Sequence, residues 1–285
     1  MQFKRYISKQ DFIYENLSIL IREEKKNDLF IGILAQDDKN SDDWLFGRVE
    51  NEKGNVEMIV MLNTPKNGLL IYSPTQNNST KIAKLVVKNI IYYGYELTEI
   101  YGENSISEVM AKEYEKSSGR PIKRSNEMNI LYLDKLEENK DLELKDGLKV
   151  RLANSKDLDK VKENVYVVYE ELLNEECNEE IAKEKAEVYI EKGLYILTNS
   201  NKELFAQILI ARDLMTGYAF GAAVTSKKYK GNNYSQMLAY NAIKNIQREG
   251  IKFFIIHVAS SNEERNKLYE EIGFKFVEKK TRYYF

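Results

Sequence analysis

The chain has 285 residues, 43% hydrophobic and 11% aromatic, with 45 acidic against 43 basic side chains and a net charge of −2. That length exceeds one ordinary core and suits two domains of about 140 residues each. A near-neutral charge offers no electrostatic footprint for nucleic acid or an anionic membrane. The sole cysteine, Cys177, excludes an intramolecular disulfide and any multi-cysteine metal centre, which fits a reducing compartment. The opening MQFKRYISKQDF has no apolar leader core. The longest apolar run, around Phe253 to Ala259, is far below the roughly 20 residues of a spanning helix. The expectation is a cytoplasmic protein with no membrane or nucleic-acid partner, a monomer or homodimer.

In the first half, Phe12, Leu17, Leu20 and Ile21 at helical spacing predict a helix over 9–24, and a second short one follows near 28–36. WLFGRVE (44–50), VEMIVML (56–62) and LLIYS (69–73) read as strands, the first two joined by a turn through Gly54. Ser79 or Thr80 can cap a helix running to Tyr93, with Ile82, Leu85, Val86 and Ile90 on one face. LTEIY (97–101) is a short strand, 105–117 a helix, and NILYLDKL (129–136) a last strand. The charged, apolar-poor stretch from Glu137 to Asp146, closed by Gly147, sets a domain border that separates 1–146 from 147–285.

The second half repeats the order. LKVRLA (148–153) reads as a strand, 155–173 and 178–192 as helices, and LYILTN (194–199), ELFAQILIA (203–211) and GYAFGAAVT (217–225) as three strands. A helix over 232–249, the strand FFIIHV (253–258), a helix over 262–271 and closing strands FKFVE and RYYF complete it. Corresponding elements lie about 150 residues apart, which is a duplication and not a short-period array. KEYEKSSG (112–119) even echoes NKLYEEIG (266–273). A chance likeness of two unrelated α/β domains is the alternative.

Two stretches carry chemistry. In YAFGAAVTSKKYKGNNYSQML (218–238), a strand of small residues runs through Lys228, Lys230 and Gly231 into a helix. Amides at a helix start are unpaired and lie at the positive end of its dipole, and a glycine lets an anion come close. A nucleotide-like pyrophosphate suits such a loop, and an ordinary loop with solvated lysines is the alternative. The second stretch, SNEERNKLYEEIGF (261–274), follows a strand directly. Ser261 or Asn262 is a suitable N-cap, Gly273 a C-terminal stop, and Tyr269 lies beside Leu268 and Ile272.

KxxGNN at 228–233, then a helix, a strand, and N…LY…GF at 262–274 together resemble the GNAT acyltransferase superfamily. The chain is similar to two-domain bacterial members in which a diverged N-terminal copy precedes a catalytic one. The resemblance implies an α/β protein of two GNAT-like domains, each a mixed, splayed, mostly antiparallel sheet flanked by helices. It also implies N-acetyltransferase activity with acetyl-CoA as co-substrate. Strands 218–225 and 252–258 then part at their C-terminal ends to admit the pantetheine arm beside Ala222, Ala223 and Val224. The pyrophosphate rests on the amides of Lys230, Gly231, Asn232, Asn233, Tyr234 and Ser235, with Lys228 adding charge. The Val224 amide stabilises an oxyanion, and Tyr269 protonates the departing thiolate as general acid. Asn262 holds the start of the last helix beside the co-substrate.

The sequence departs from the superfamily pattern at Lys228, Asn233 and Arg265, and the matching N-terminal loop, Ser73 to Thr80, has no glycine. That copy is not expected to take coenzyme A in the same way. No general base is visible: His257 is more simply a buried structural residue, and Cys177 has no neighbouring histidine. No metal site is expected. The acceptor is a small-molecule or peptide amine that the sequence does not identify. The alternatives are a non-catalytic acyl-CoA-binding or interaction module, or another acyl or aminoacyl transferase.

Overall fold

The computed structural model describes residues 1–36, 43–62, 68–76, 79–173, 175–247 and 251–285. Its contacts form two units, one of Met1–Ile130, Ala259–Ser261 and Val277–Phe285, the other of Leu131–Val258 and Asn262–Phe276. The first half of the chain supplies β1 (Gln2–Tyr6), α1 (Lys9–Arg22), α2 (Asp28–Leu34), β2 (Leu45–Glu50), β3 (Val56–Leu62), β4 (Leu69–Tyr72), α3 (Thr80–Tyr92), β5 (Glu99–Glu103), α4 (Asn104–Ser118) and β6 (Arg124–Leu133). The second half supplies β7 (Leu148–Leu152), α5 (Leu158–Val168), α6 (Glu179–Lys192), β8 (Leu194–Asn199), β9 (Leu204–Asp213), β10 (Gly217–Thr225), α7 (Tyr234–Gln247), β11 (Phe253–Ala259), α8 (Glu263–Ile272) and β12 (Lys275–Tyr284).

In the first unit the strand order is β1-β2-β3-β4-β5-β12-β6. The β1–β2, β2–β3, β3–β4 and β5–β12 pairs are antiparallel, and β4–β5 is parallel. One face of this sheet packs on Ile82, Val86 and Ile90 of α3 and on Met110 and Tyr114 of α4. Phe12 of α1 lies against Phe46 of β2, with ring centroids 5.0 Å apart. The Ser8 and Ser79 side chains cap α1 and α3 by accepting the Asp11 and Ile82 amides, which satisfies donors no helix can pair internally.

In the second unit the order is β11-β10-β9-β8-β7, antiparallel except for β10–β11. Here α7 and α8 share a core with Phe220, Phe254 and Val258, while α5 and α6 share one with Leu194, Ile196 and Leu209. Asn154 and Asp157 form a reciprocal capping box before α5. Both Arg151 guanidinium nitrogens reach the Asp157 carboxylate at 2.7 Å and hold its pKa below the usual range. Each unit is thus the expected mixed, mostly antiparallel sheet flanked by helices.

Three elements differ from the sequence reading. β1 is an addition, because QFKRY has too little apolar alternation to announce a strand; it forms where β2 offers a partner from Gln2↔Glu50 to Tyr6↔Phe46. The expected helix 155–173 is a 3-10 turn, α5 and a single π turn over Tyr169–Leu173. The two closing strands are one strand, β12. Its polar middle reads as a break, yet Lys280 and Thr281 pair with Glu103 and Gly102. That pairing also places Phe285 edge-on to Tyr114 at 4.8 Å, in the first unit. Residues 131–146, which precede the border set by composition, lie in the second unit. Residues 248 and 249, at the end of the expected seventh helix, are outside the described residues.

Candidate acyl-transfer site

β10 and β11 are paired from Gly217↔Phe253 to Phe220↔Ile256, and both strands continue beyond that point, β10 to Thr225 and β11 to Ala259. On its other side β10 stays with β9, but the register slips between Gly221↔Leu209 and Val224↔Gln207. Three steps on β10 meet two on β9, so one extra residue is accommodated, and Ala222 takes a left-handed φ of 46°. A bulge of this kind bends a strand and turns its backbone groups away from regular pairing. Ala223 and Val224 keep their side chains buried, and Val224 packs with Val167 and Val168 of α5. Beyond Phe220 the edge of β10 therefore presents backbone and small side chains.

The connection to α7 is held from several directions. The Ser226 amide donates to the Phe205 carbonyl, and its hydroxyl donates to that of Leu204. Lys227–Tyr229 form a 3-10 turn, and Tyr229 and Tyr234 both pack on Phe205, at 4.5 and 4.8 Å. The Thr225 and Ser235 hydroxyls bond to each other, tying the strand end to the first turn of α7. The Met237 amide reaches the Asn233 carbonyl, so Asn233 stands at the helix start. Gly231 has φ 79°, a conformation an L side chain rarely adopts, and a Cβ there would meet nothing within 4 Å. Gly231, Asn232 and Asn233 are exposed. This set of donors fits a phosphate group: space above a glycine at a helix start, with ammonium groups close by.

Each ammonium group already faces a carboxylate. Lys227 reaches Glu170 at 3.6 Å, Lys228 reaches Glu203 at 3.3 Å, and Lys230 pairs with Glu171. The Tyr229 hydroxyl also donates to Glu203. The Lys228 pKa is raised, through Tyr229 and then Glu203, and that of Lys230 is raised by Glu171. The sequence reading places Glu170 and Glu171 at the end of a helix over 155–173 and Glu203 at the start of a strand, and assigns none of them to the loop. The π turn is what aims Glu170 and Glu171 at the loop.

Asn262 caps α8, its side chain accepting the Arg265 amide at 3.0 Å. Tyr269 is 1% exposed, edge-on to Phe274 at 5.4 Å, in the core that also holds Ile256, Val258 and Met237. Burial raises its pKa, and Arg265 opposes the shift. His257 is half-buried on β11. The Cys177 thiol lies 3.6 Å from the Asn178 carbonyl, and burial pushes its pKa up, away from thiolate chemistry. Among the described residues no three His, Cys, Asp or Glu side chains are grouped to hold a metal, and no helix is long and apolar enough to cross a membrane.

Residues 196–284 match the family model of FR47-like proteins. No curated protein sequence matches the chain. Among solved structures, a GCN5-related N-acetyltransferase from Sphaerobacter thermophilus aligns over 99% of this chain and 94% of its own, at TM-score 0.64 and 12% identity. A Drosophila protein aligns over 99% and 98%, at TM-score 0.65 and 12% identity. A tandem GNAT protein from the clavulanic acid biosynthesis pathway aligns over 99% and 97%, at TM-score 0.59 and 10% identity. The chain has the fold of the GNAT superfamily, in agreement with the motif resemblance.

Proposed function

We propose that the second unit is an N-acetyltransferase that moves an acetyl group from acetyl-CoA to a primary amine by direct attack. The observation that carries this reading is the parallel pair β10–β11, which ends at Phe220↔Ile256 beside a bulge at Ala222 and leads into the glycine-containing start of α7. Acetyl-CoA supplies the acyl group as a thioester. The amides from Lys230 to Ser235 orient its pyrophosphate, with Lys228 adding charge. The strand edge at Ala222, Ala223 and Val224 holds the pantetheine arm, and the Val224 amide stabilises negative charge building on the acyl oxygen. Tyr269, a phenol that is protonated at neutral pH at its ordinary pKa and more firmly so when buried, gives its proton to the departing thiolate. Asn262 fixes α8 and so the position of Tyr269. The acceptor is a small-molecule or peptide amine.

A second reading, a non-catalytic binder of acyl-CoA, is favoured by one observation: Tyr269 is enclosed in the core with Arg265 as its polar partner. The two readings part on turnover. Acetyl-CoA titrated into the full chain is expected to bind at one site. At one hundred times its Kd it stabilises the fold by about 2.7 kcal/mol. A panel of amines assayed by thiol release then separates the enzyme, which yields free coenzyme A, from the binder, which yields none. Absence of acetyl-CoA binding, or binding at two sites, overturns both readings as stated.

A further inference from the structure

In the first unit β4 and β5 run parallel, with pairs at Leu69↔Ile100 and Leu70↔Tyr101 among the described residues, and Gly102 still lies against Ile71. At their C-terminal ends lies a cavity of about 220 Å³, bounded by Tyr72 at the end of β4, Ser73 and Thr75 after it, Ile106 of α4, and five charged side chains. These are Glu23, Lys26, Glu103, Glu278 and Lys280, three carboxylates against two ammonium groups.

Both ammonium groups are engaged. Lys26 pairs with Glu23 at 2.8 Å, and Lys280, whose side chain is 7% exposed, pairs with Glu278 at 3.3 Å and donates to the Lys26 carbonyl. Glu103 accepts from Ser105, through its amide at 3.1 Å and its hydroxyl at 2.9 Å, and among the described residues it has no ion pair. Glu278 is held above the usual carboxylate pKa by burial, and the charge of Glu103 adds to the effect against the pull of Lys280 and Lys26. The cavity therefore has one carboxylate more than its lysines neutralise, with two buried or half-buried acids repelling each other.

The neighbouring helix start is partly closed to an anion. Ser79 Oγ accepts the Ile82 amide, so α3 is capped by its own side chain. The connection before it contains no glycine.

We propose that this cavity binds a small organic cation carrying one or two primary ammonium groups, with Glu103 and Glu278 as its anchoring carboxylates. The ammonium group lies between the two acids, where it relieves their repulsion and adds a charge-assisted hydrogen bond to Glu103. Tyr72 and Thr75 supply polar groups for a second end. A water molecule's share of liquid volume is about 30 Å³, so the space equals roughly seven waters, the scale of a four- or five-carbon diamine.

Cadaverine titrated calorimetrically into the full chain, without acetyl-CoA, is expected to bind at one saturable site, and succinate is expected not to bind. Loss of a hydrogen bond to a charged group predicts that Glu103→Gln raises the cadaverine Kd about tenfold or more. Glu278→Gln is expected to do the same. It leaves Lys280 without its carboxylate and can lose stability, so Glu103→Gln is the deciding variant: its amide oxygen still accepts from Ser105. Saturable cadaverine binding that both variants retain at the parent affinity places the diamine elsewhere and overturns the proposal. So does a parent protein that binds no cadaverine, or binds succinate equally. The acetyl-CoA titration of the second unit is a separate measurement, and its failure leaves this one standing.

Discussion

Among the described residues β4 and β5 are paired up to Leu70↔Tyr101, and β10 and β11 up to Phe220↔Ile256. Both β4 and β10 are followed by a loop, a helix, a strand and another helix. In the first unit the cavity at the strand ends is lined by surplus carboxylate, and the next helix is capped by Ser79. In the second, three lysines and an exposed glycine precede a helix start with Asn232 and Asn233 in solvent. On the readings proposed above, the few residues between strand and helix set the charge at each strand end and hence its guest. The two tyrosines of the echoed segments diverge in the same way. The Tyr114 hydroxyl accepts the Leu97 amide at 2.9 Å, a structural bond inside the first unit, while the Tyr269 hydroxyl has the cation of Arg265 beside it.

The largest expected effect lies at Tyr269. Tyr269→Phe removes one hydroxyl and keeps the ring that packs on Phe274. General acid catalysis contributes typically 10²- to 10⁴-fold, so turnover should fall by that order while the apparent KM for acetyl-CoA holds. Thiol release and a melting curve are measured together. Unchanged turnover removes Tyr269 from the reaction and makes it a packing residue like Tyr114.

The next effect is on binding. Gly231→Asp places a Cβ at φ 79° and a negative charge where the pyrophosphate is proposed to lie. Acetyl-CoA affinity should drop at least about a hundredfold, combining backbone strain with charge repulsion. Cadaverine binding to the first unit should be unaffected. A variant that binds acetyl-CoA as the parent does would remove the phosphate role from this loop.

Much of this contrast was legible in the sequence, for a definable reason. Strands such as VEMIVML and helices such as 80–92 carry periodic apolar residues, so burial and local order agree. The glycine at 231 and its absence from Ser73 to Thr80 are visible as letters, although Asn77 and Asn78 of that loop fall outside the described residues. What stayed hidden depends on partners distant in sequence. The pairing of Lys280 with Glu103 across β12 and β5 makes one strand of two readings, and it brings Glu278 and Lys280 to a cavity whose other walls lie at 23–106. The bulge at Ala222 arises from register against β9, and alanine gives no local sign of a left-handed φ. The aim of Glu170 and Glu171 depends on a π turn, which no periodicity announces.

Those two acids permit the smallest and most discriminating test of the contrast. Glu170 and Glu171 face Lys227 and Lys230, so the loop of the second unit is partly neutralised before any ligand arrives. A pyrophosphate on this loop must compete with them for the same ammonium groups. The double variant Glu170→Gln, Glu171→Gln frees both lysines and keeps side chains of similar size. Exposed ion pairs are worth about 0–1 kcal/mol each, so acetyl-CoA should bind roughly two- to fivefold more tightly, with little change in melting temperature. The gain should shrink as salt rises, since interactions among exposed charges are screened over about 10 Å at 0.1 M. A matching gain at all salt concentrations would mean that the variant reshapes the site and does not simply release charge. Weaker binding would mean that the acids hold the loop in its receptive form, and that the two units differ in how their loops are braced as well as in their charge.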